Sequence, residues 1–283
     1  MKRKNYELTV AYIRRYARYL QELERASATI QKYVYNLTVL LGFLGGKPLT
    51  KDALLRWKAE LADTYAPTTV NSMLAATNGF FVFMGWQELA VKPLRIQHSP
   101  FRDEGRKLTQ TEYVRLVRAA ERRENERLSL VIQTICATGI RVSELQFITA
   151  EAVQIGRAEV CNKGKRRIVF LPGKLRQLLK NYLQKQKRPA GPVFVTKTGK
   201  PLDRSNIWRD MKKLCESANV APEKVFPHNL RHLFARTYYS LEKDLSRLAD
   251  ILGHSSVNTT RIYTAESGAV HALQVERLGL IIT

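Results

Sequence analysis

The sequence predicts a mainly α-helical protein of two domains with a small β-sheet in the second. Three observations lead there. A chain of 283 residues exceeds the usual extent of one hydrophobic core. Over the first 90 or so residues, apolar positions recur at helical spacing in runs that end on glycine or proline. The stretch AEVCNKGKRRIVFL, residues 158–171, instead alternates weakly around Lys163-Gly164-Lys165, the pattern of a β-hairpin with a basic tip.

Taken in order, residues 5–23 carry Val10, Ile13, Ala17 and Leu20, the stripe of a helix buried on one side. Ser27 reads as the N-cap of a second helix with Ile30, Val34, Leu37, Leu41 and Leu44 inward, stopped by Gly45-Gly46. Thr50 precedes a third, bearing Leu54, Leu55, Trp57 and Leu61. Pro67 suits the first turn of a fourth, with Val70, Leu74, Thr77, Phe81 and Met84 on one side. Residues 1–92 are therefore expected to form a small helical domain, with Tyr33, Phe80, Phe81 and Trp86 in its core rather than on a stacking platform. Residues 93–107, PLRIQHSPFRDEGRK, hold two prolines, a glycine and charge without periodicity, which marks an interdomain linker where His98 stands solvated.

A second domain, 108–267, opens on the capping-box pattern Thr109-Gln110-Thr111-Glu112. Residues 128–137 are almost wholly apolar and read as its central helix, ended by Thr138-Gly139 with Arg141 directly after. A guanidinium delivered by a buried helix end is costly unless an anion meets it, and Glu144 is spaced to orient it. After the hairpin come a helix over 174–186, a short strand over 193–195, a turn at Thr198-Gly199-Lys200 and a helix over 205–217. The tail, 268–283, is mildly amphipathic through Val270, Leu273, Val275 and Leu278, and is expected to dock on its own domain or a neighbouring protomer.

A formal net charge of +22 calls for a polyanionic partner. Nucleic acid fits better than a membrane surface, because Lys and Arg recur along the whole chain instead of flanking an apolar anchor. Cys136, Cys161 and Cys215 are far apart and odd in number, so neither a disulfide framework nor a zinc site is indicated. With no signal-peptide core and no apolar run of spanning length, a cytoplasmic protein is expected.

The chemistry concentrates in residues 226–263, FPHNLRHLFARTYYSLEKDLSRLADILGHSSVNTTRIY. On a helix starting after Pro227, His228 and Arg231 share a face, with Cβ atoms roughly 5–6 Å apart, and could grip one phosphate. Gly253 reads as a left-handed cap that puts His254 at the start of a loop. Tyr263 follows, a phenol with a free pKa of about 10 that neighbouring cations could activate as a nucleophile. The same stretch, from Leu245 on, also reads as a helix-turn-helix, the signature of a non-catalytic DNA-binding regulator. That alternative leaves Arg141 and the His228/Arg231 pair without a role.

Thr138-Gly139-Ile140-Arg141-Val142-Ser143-Glu144-Leu145, the Lys163 hairpin, His228-Asn229-Leu230-Arg231-His232, Leu252-Gly253-His254 and Tyr263 together resemble the tyrosine recombinase (integrase) family, most closely its Xer-like two-domain members. The motifs stand in the family's order, with Tyr263 nine residues after His254, and the resemblance spans essentially the whole chain. It implies a helical SAM-like core-binding domain followed by an α+β catalytic domain. Arg141 and Arg231 would hold the scissile phosphate, Tyr263 would attack phosphorus, and Lys163 would protonate the departing 5′-oxygen. His228 would assist proton transfer at the tyrosine, His254 would hydrogen-bond the phosphate, and Glu144 would support Arg141. His232 would be a structural partner. Family hairpins commonly read Gly-Lys-Gly-x-Lys-x-Arg, whereas Asn162-Lys163-Gly164-Lys165-Arg166-Arg167 lacks the first glycine and is one residue shorter, so Lys165 stays an alternative to Lys163. The resemblance further implies double-stranded DNA with inverted half-sites, a homotetramer on synapsed DNA formed from free monomers, and no metal, cofactor or membrane partner. Type IB topoisomerases, protelomerases and transposon integrases share this chemistry.

Overall fold

The computed structural model describes residues 6–96, 104–162, 165–196, 198–254 and 256–260. The chain divides into two compact units, 1–98 and 99–283. No helix among the described residues is long and apolar enough to cross a membrane.

The first unit packs four helices, α1 (Val10–Glu22), α2 (Ser27–Leu44), α3 (Lys51–Thr64) and α4 (Pro67–Met84). Thr9 and Thr50 cap α1 and α3 through their hydroxyls. Ser27, expected as a cap, is instead the first helical residue, and the cap position falls on Ala26, which has no side chain to offer. Two expected core residues also face out: Val10 is 52% and Leu55 49% exposed. On α1 the inward place goes to Tyr16, which lies edge-on to Phe80. Leu37, Leu40, Trp57, Leu74, Phe80 and Phe81 are fully enclosed, and Trp86 and Tyr33 pack against them. The segment leaving this unit is clipped to α4 by two asparagines, each exchanging a pair of bonds with backbone: Asn78 with Val91 (2.9 and 3.0 Å) and Asn71 with Leu94 (2.9 and 2.7 Å).

The second unit opens with α5 (Gln110–Arg122), whose Thr109/Glu112 capping box forms as the sequence suggests, and α6 (Glu126–Thr138), the apolar helix at its centre. A 3-10 turn (Val142–Phe147) and α7 (Ala150–Ile155) lead to the antiparallel hairpin β1 (Arg157–Asn162) and β2 (Lys165–Phe170), in register from Arg157↔Phe170 to Asn162↔Lys165. Then follow α8 (Gly173–Lys185), α9 (Arg204–Lys212), α10 (Cys215–Ala218), α11 (Pro227–Glu242), α12 (Leu245–Leu252) and α13 (Val257–Thr260). Two sequence expectations fail here. Residues 193–195 make no strand, only the isolated bridges Thr149↔Pro192 and Val195↔Pro201, because each bridge contains a proline that has no N–H to extend a ladder. The helix expected over 205–217 is two, α9 and α10, separated at Lys213-Leu214.

Candidate active site

The site is built where two helices end. Helix α6 stops at Gly139, whose left-handed backbone (φ +64°) brings the place of a Cβ within 2.5 Å of the Phe234 ring, so glycine is required for both reasons. The turn sends Ile140 into the core and Arg141 outward. Glu144, 1% exposed, then accepts the Arg141 backbone N–H at Oε2 (2.9 Å) and its guanidinium Nη1 at Oε1 (3.0 Å). The other arm of Arg141, Nη2, donates to the Gly253 carbonyl at 3.3 Å.

Helix α12 ends in the same way, at Gly253 with φ +64°. Arg231, on the second turn of α11, is 1% exposed. Its Nη1 donates to the Gly139 carbonyl, and its Nη2 to the Leu252 carbonyl (2.6 Å) and to His254 Nε2 (3.1 Å). The carbonyls at a helix C-terminus lack intrahelical partners and carry the negative end of the helix dipole. Two such ends therefore offset much of the cost of burying this cation. Arg141 and Arg231 reach adjacent carbonyls, Gly253 and Leu252, so they share one pocket.

His254 stands between them. Desolvation, then the charges of Arg231, Arg141, His228 and Arg167, push its pKa down from 6.5 to about 4, and the ring is neutral near pH 7. A guanidinium can only donate, so Nε2 must be the acceptor and Nδ1 carries the proton. That proton goes to Thr260 Oγ1, 2.8 Å away on α13 and fully buried. His228, one turn before Arg231, is exposed, with its ring centroid 4.4 Å from that of the nearly buried His232. Lys163 and Tyr263 lie outside the described residues.

The sequence reading missed Arg167. From β2 it meets both oxygens of Glu144, Nη1 to Oε1 at 3.2 Å and Nη2 to Oε2 at 2.8 Å, while Nε donates to the Ile251 carbonyl at 3.1 Å. Its side chain lies so close to Gly253 that a Cβ there would sit 2.7 Å from its Cδ. A signal was present: strand alternation puts Arg167 on the same face as the buried Val169, an inward arginine in need of an anion. Thr260 carried no comparable signal.

Three guanidiniums, one carboxylate and a neutral imidazole leave a net positive, partly desolvated pocket suited to a phosphate group. Among the described residues, no group of three His, Cys, Asp or Glu side chains is placed to hold a metal ion. The helix-turn-helix reading gives this pocket no role, whereas the His254 side chain is engaged within it by Arg231 and Thr260.

The model of the phage integrase family matches residues 106–269, and that of the phage integrase N-terminal SAM-like domain matches residues 13–88. The tyrosine recombinase XerA of Pyrococcus furiosus is similar at 30% identity over 94% of this chain and 93% of its own. Among solved structures, the XerH site-specific recombinase in a pre-cleavage complex with its difH substrate aligns over 99% of this chain and 100% of its own (TM-score 0.73, 19% identity). A lambda integrase tetramer bound to a Holliday junction aligns over 89% and 76% (TM-score 0.73, 17% identity). With both units matched and a relative similar almost end to end, the chain belongs to the tyrosine recombinase (phage integrase) family and is a site-specific recombinase of the Xer type, an enzyme that cuts and rejoins DNA strands.

Proposed function

We propose that this recombinase works through a 3′-phosphotyrosyl intermediate, with Tyr263 as nucleophile and Arg141, Arg231 and His254 around the scissile phosphate. The observation that carries the reading is the pairing of Arg141 and Arg231 on adjacent carbonyls at the end of α12, three residues or fewer from His254. Two guanidiniums held in advance stabilise charge that develops on the equatorial oxygens of phosphorus, without reorganising at the moment of reaction. Tyr263 Oη bonds to phosphorus as the P–O5′ bond breaks, leaving the 3′-phosphate on the tyrosine and a 5′-hydroxyl. Lys163, with Lys165 as the alternative, delivers the proton to the 5′-oxygen, and His228 relays the phenol's proton. One phosphodiester replaces another, so the reverse step needs no ATP, and the arginines supply the charge neutralisation a metal would otherwise give.

His254 must change for its part. Its Nε2 accepts from Arg231 in the free protein, so donating to a phosphate oxygen requires the ring to gain a proton, which the arriving anion favours by raising its pKa. Glu144 holds Arg141 in aim, and His232 supports His228 by ring contact.

The helical domain, 1–92, would grip DNA from its α2–α4 groove, where Lys32, Tyr35, Thr68 and Thr69 are exposed and Asn36 keeps a buried side-chain amide with no partner among the described residues. Residues 93–107 link it to the catalytic domain, 108–267, and residues 268–283 dock between protomers. Two-fold related protomers call for inverted half-sites, and two such pairs make the homotetramer on synapsed duplexes, assembled from monomers in the cytoplasm with no membrane partner. The test is covalent capture of DNA on a nicked substrate followed by sequencing of the attached strand. Tyr263→Phe is expected to abolish capture while leaving DNA affinity nearly unchanged; adducts formed by that variant would sink the assignment.

A further inference from the structure

We propose that Arg167 is a positioning residue whose charge cancels that of Glu144, so that one carboxylate can aim Arg141 without weakening Arg141's pull on the phosphate. The inference rests on the recombinase reading of this site. Arg141 and Glu144 alone make a neutral pair, 3.0 Å from nitrogen to oxygen. A phosphate arriving at the outer edge of Arg141 would also feel the carboxylate behind it, whose repulsion offsets a sizeable part of the guanidinium's attraction. Arg167 removes that penalty by pairing with the same carboxylate from the other side, at 2.8 Å.

Geometry separates the tasks of the two arginines. The Arg167 side chain is 12% exposed, and all three of its nitrogens are engaged, two by Glu144 and one by the Ile251 carbonyl. Three of its five N–H groups are thus taken, and the side chain is nearly enclosed. The Arg141 side chain is 31% exposed, and among the described residues its second arm makes only the longer bond to Gly253. The fork of Arg167 faces inward while Arg141 keeps an open side. Arg167 also joins β2 to the end of α12, the segment whose carbonyls hold Arg141 and Arg231. A lysine could supply the charge there but not the two-pronged grip together with the third bond.

The test uses the full-length protein, with a nicked duplex bearing the sequence recovered from covalent capture, and reads single-turnover cleavage at saturating DNA beside the Kd. Arg167→Gln is expected to slow cleavage by roughly 10²-fold, comparable to losing one preorganised donor, with Kd changed less than about threefold because the residue does not touch DNA. Arg167→Lys, which keeps the charge and loses the fork, should fall in between. The deciding variant is the pair Glu144→Gln with Arg167→Gln. If cancellation is the role, removing both charges restores the field at Arg141, and the double variant cleaves at least about tenfold faster than Arg167→Gln alone. A purely structural Arg167 gives a double variant no faster than the single one, and that result overturns the proposal. So does wild-type cleavage by Arg167→Gln. Should Arg167→Gln fail to fold, judged by its thermal melt, the charge-balanced double variant is compared with Arg167→Lys: cleavage no slower than that of Arg167→Lys supports cancellation, and slower cleavage overturns it. Absence of any covalent adduct from the unmodified protein would overturn this proposal and the recombinase reading together.

Discussion

Arg231 and Arg141 touch the same short stretch at the end of α12, yet the fold accommodates their charges in opposite ways. Arg231 is wholly enclosed and meets neutral partners, the carbonyls of Gly139 and Leu252 and the ring of His254. Arg141 is partly open and is held by a carboxylate, which is itself held by a third arginine. Carbonyls at helix ends keep a buried cation solvated without neutralising it, whereas a carboxylate fixes orientation firmly but subtracts charge. The site therefore uses dipoles where depth protects the field and an ion-pair triad where the side chain must be aimed into an open pocket.

That contrast is sharpest under equal truncation. Arg231→Met should lower single-turnover cleavage by at least roughly 10³-fold, since it removes a buried cation together with the hydrogen bond that orients His254. It should also destabilise the protein, because the Gly139 and Leu252 carbonyls lose their buried donors. Arg141→Met is expected to cost roughly 10²-fold in cleavage and little in stability, as its partner Glu144 retains Arg167. Paired cleavage assays and thermal melts on the two variants check this; equal losses in both measurements would erase the distinction between a dipole-held and a carboxylate-held cation.

Much of this was legible in the sequence, for identifiable reasons. Helices α3, α4, α5 and α6 announce themselves through Thr50, Pro67, the Thr109/Glu112 box and the Gly139 stop, which are local signals with local causes. Arg141 and Glu144 stand three residues apart, so their pairing could be read from spacing. Arg167 lies 23 residues from Glu144 and Thr260 six from His254, across turns whose geometry spacing alone does not define. The strand expected at 193–195 fails because pairing depends on a partner with a free N–H, and Pro201 has none. Interior arginines and tautomers are set by which helix ends converge, a property of tertiary packing.

Thr260 offers a smaller lever on the same pocket. Thr260→Val keeps the shape and deletes the acceptor for His254 Nδ1–H, so the ring loses the bond that fixes its plane beside Arg231. Cleavage at saturating DNA should drop by about tenfold, the worth of one such bond, and Thr260→Ser should restore most of it. Failure of serine to rescue would mean that the methyl packing, not the hydroxyl, is what matters.

The mildest test reads the field of the two arginines through His254 itself, without DNA. Its pKa is about 4 in the folded protein against 6.5 as the ordinary value, so between those limits the unfolded chain binds a proton that the folded one excludes. Stability contributed by the neutral ring is then complete above pH 6.5 and is lost as pH falls toward 4. His254→Asn cannot titrate and should lack that share of the acid slope, so the difference between the two melts isolates it from the carboxylates. Arg231 bears on His254 more strongly than Arg141 does. Arg231→Met should therefore raise the imidazole pKa, followed by NMR, further toward 6.5 than Arg141→Met. The reverse order would mean that Arg141, partly open and backed by the Glu144–Arg167 pair, acts on His254 more strongly than the enclosed Arg231 that bonds to it.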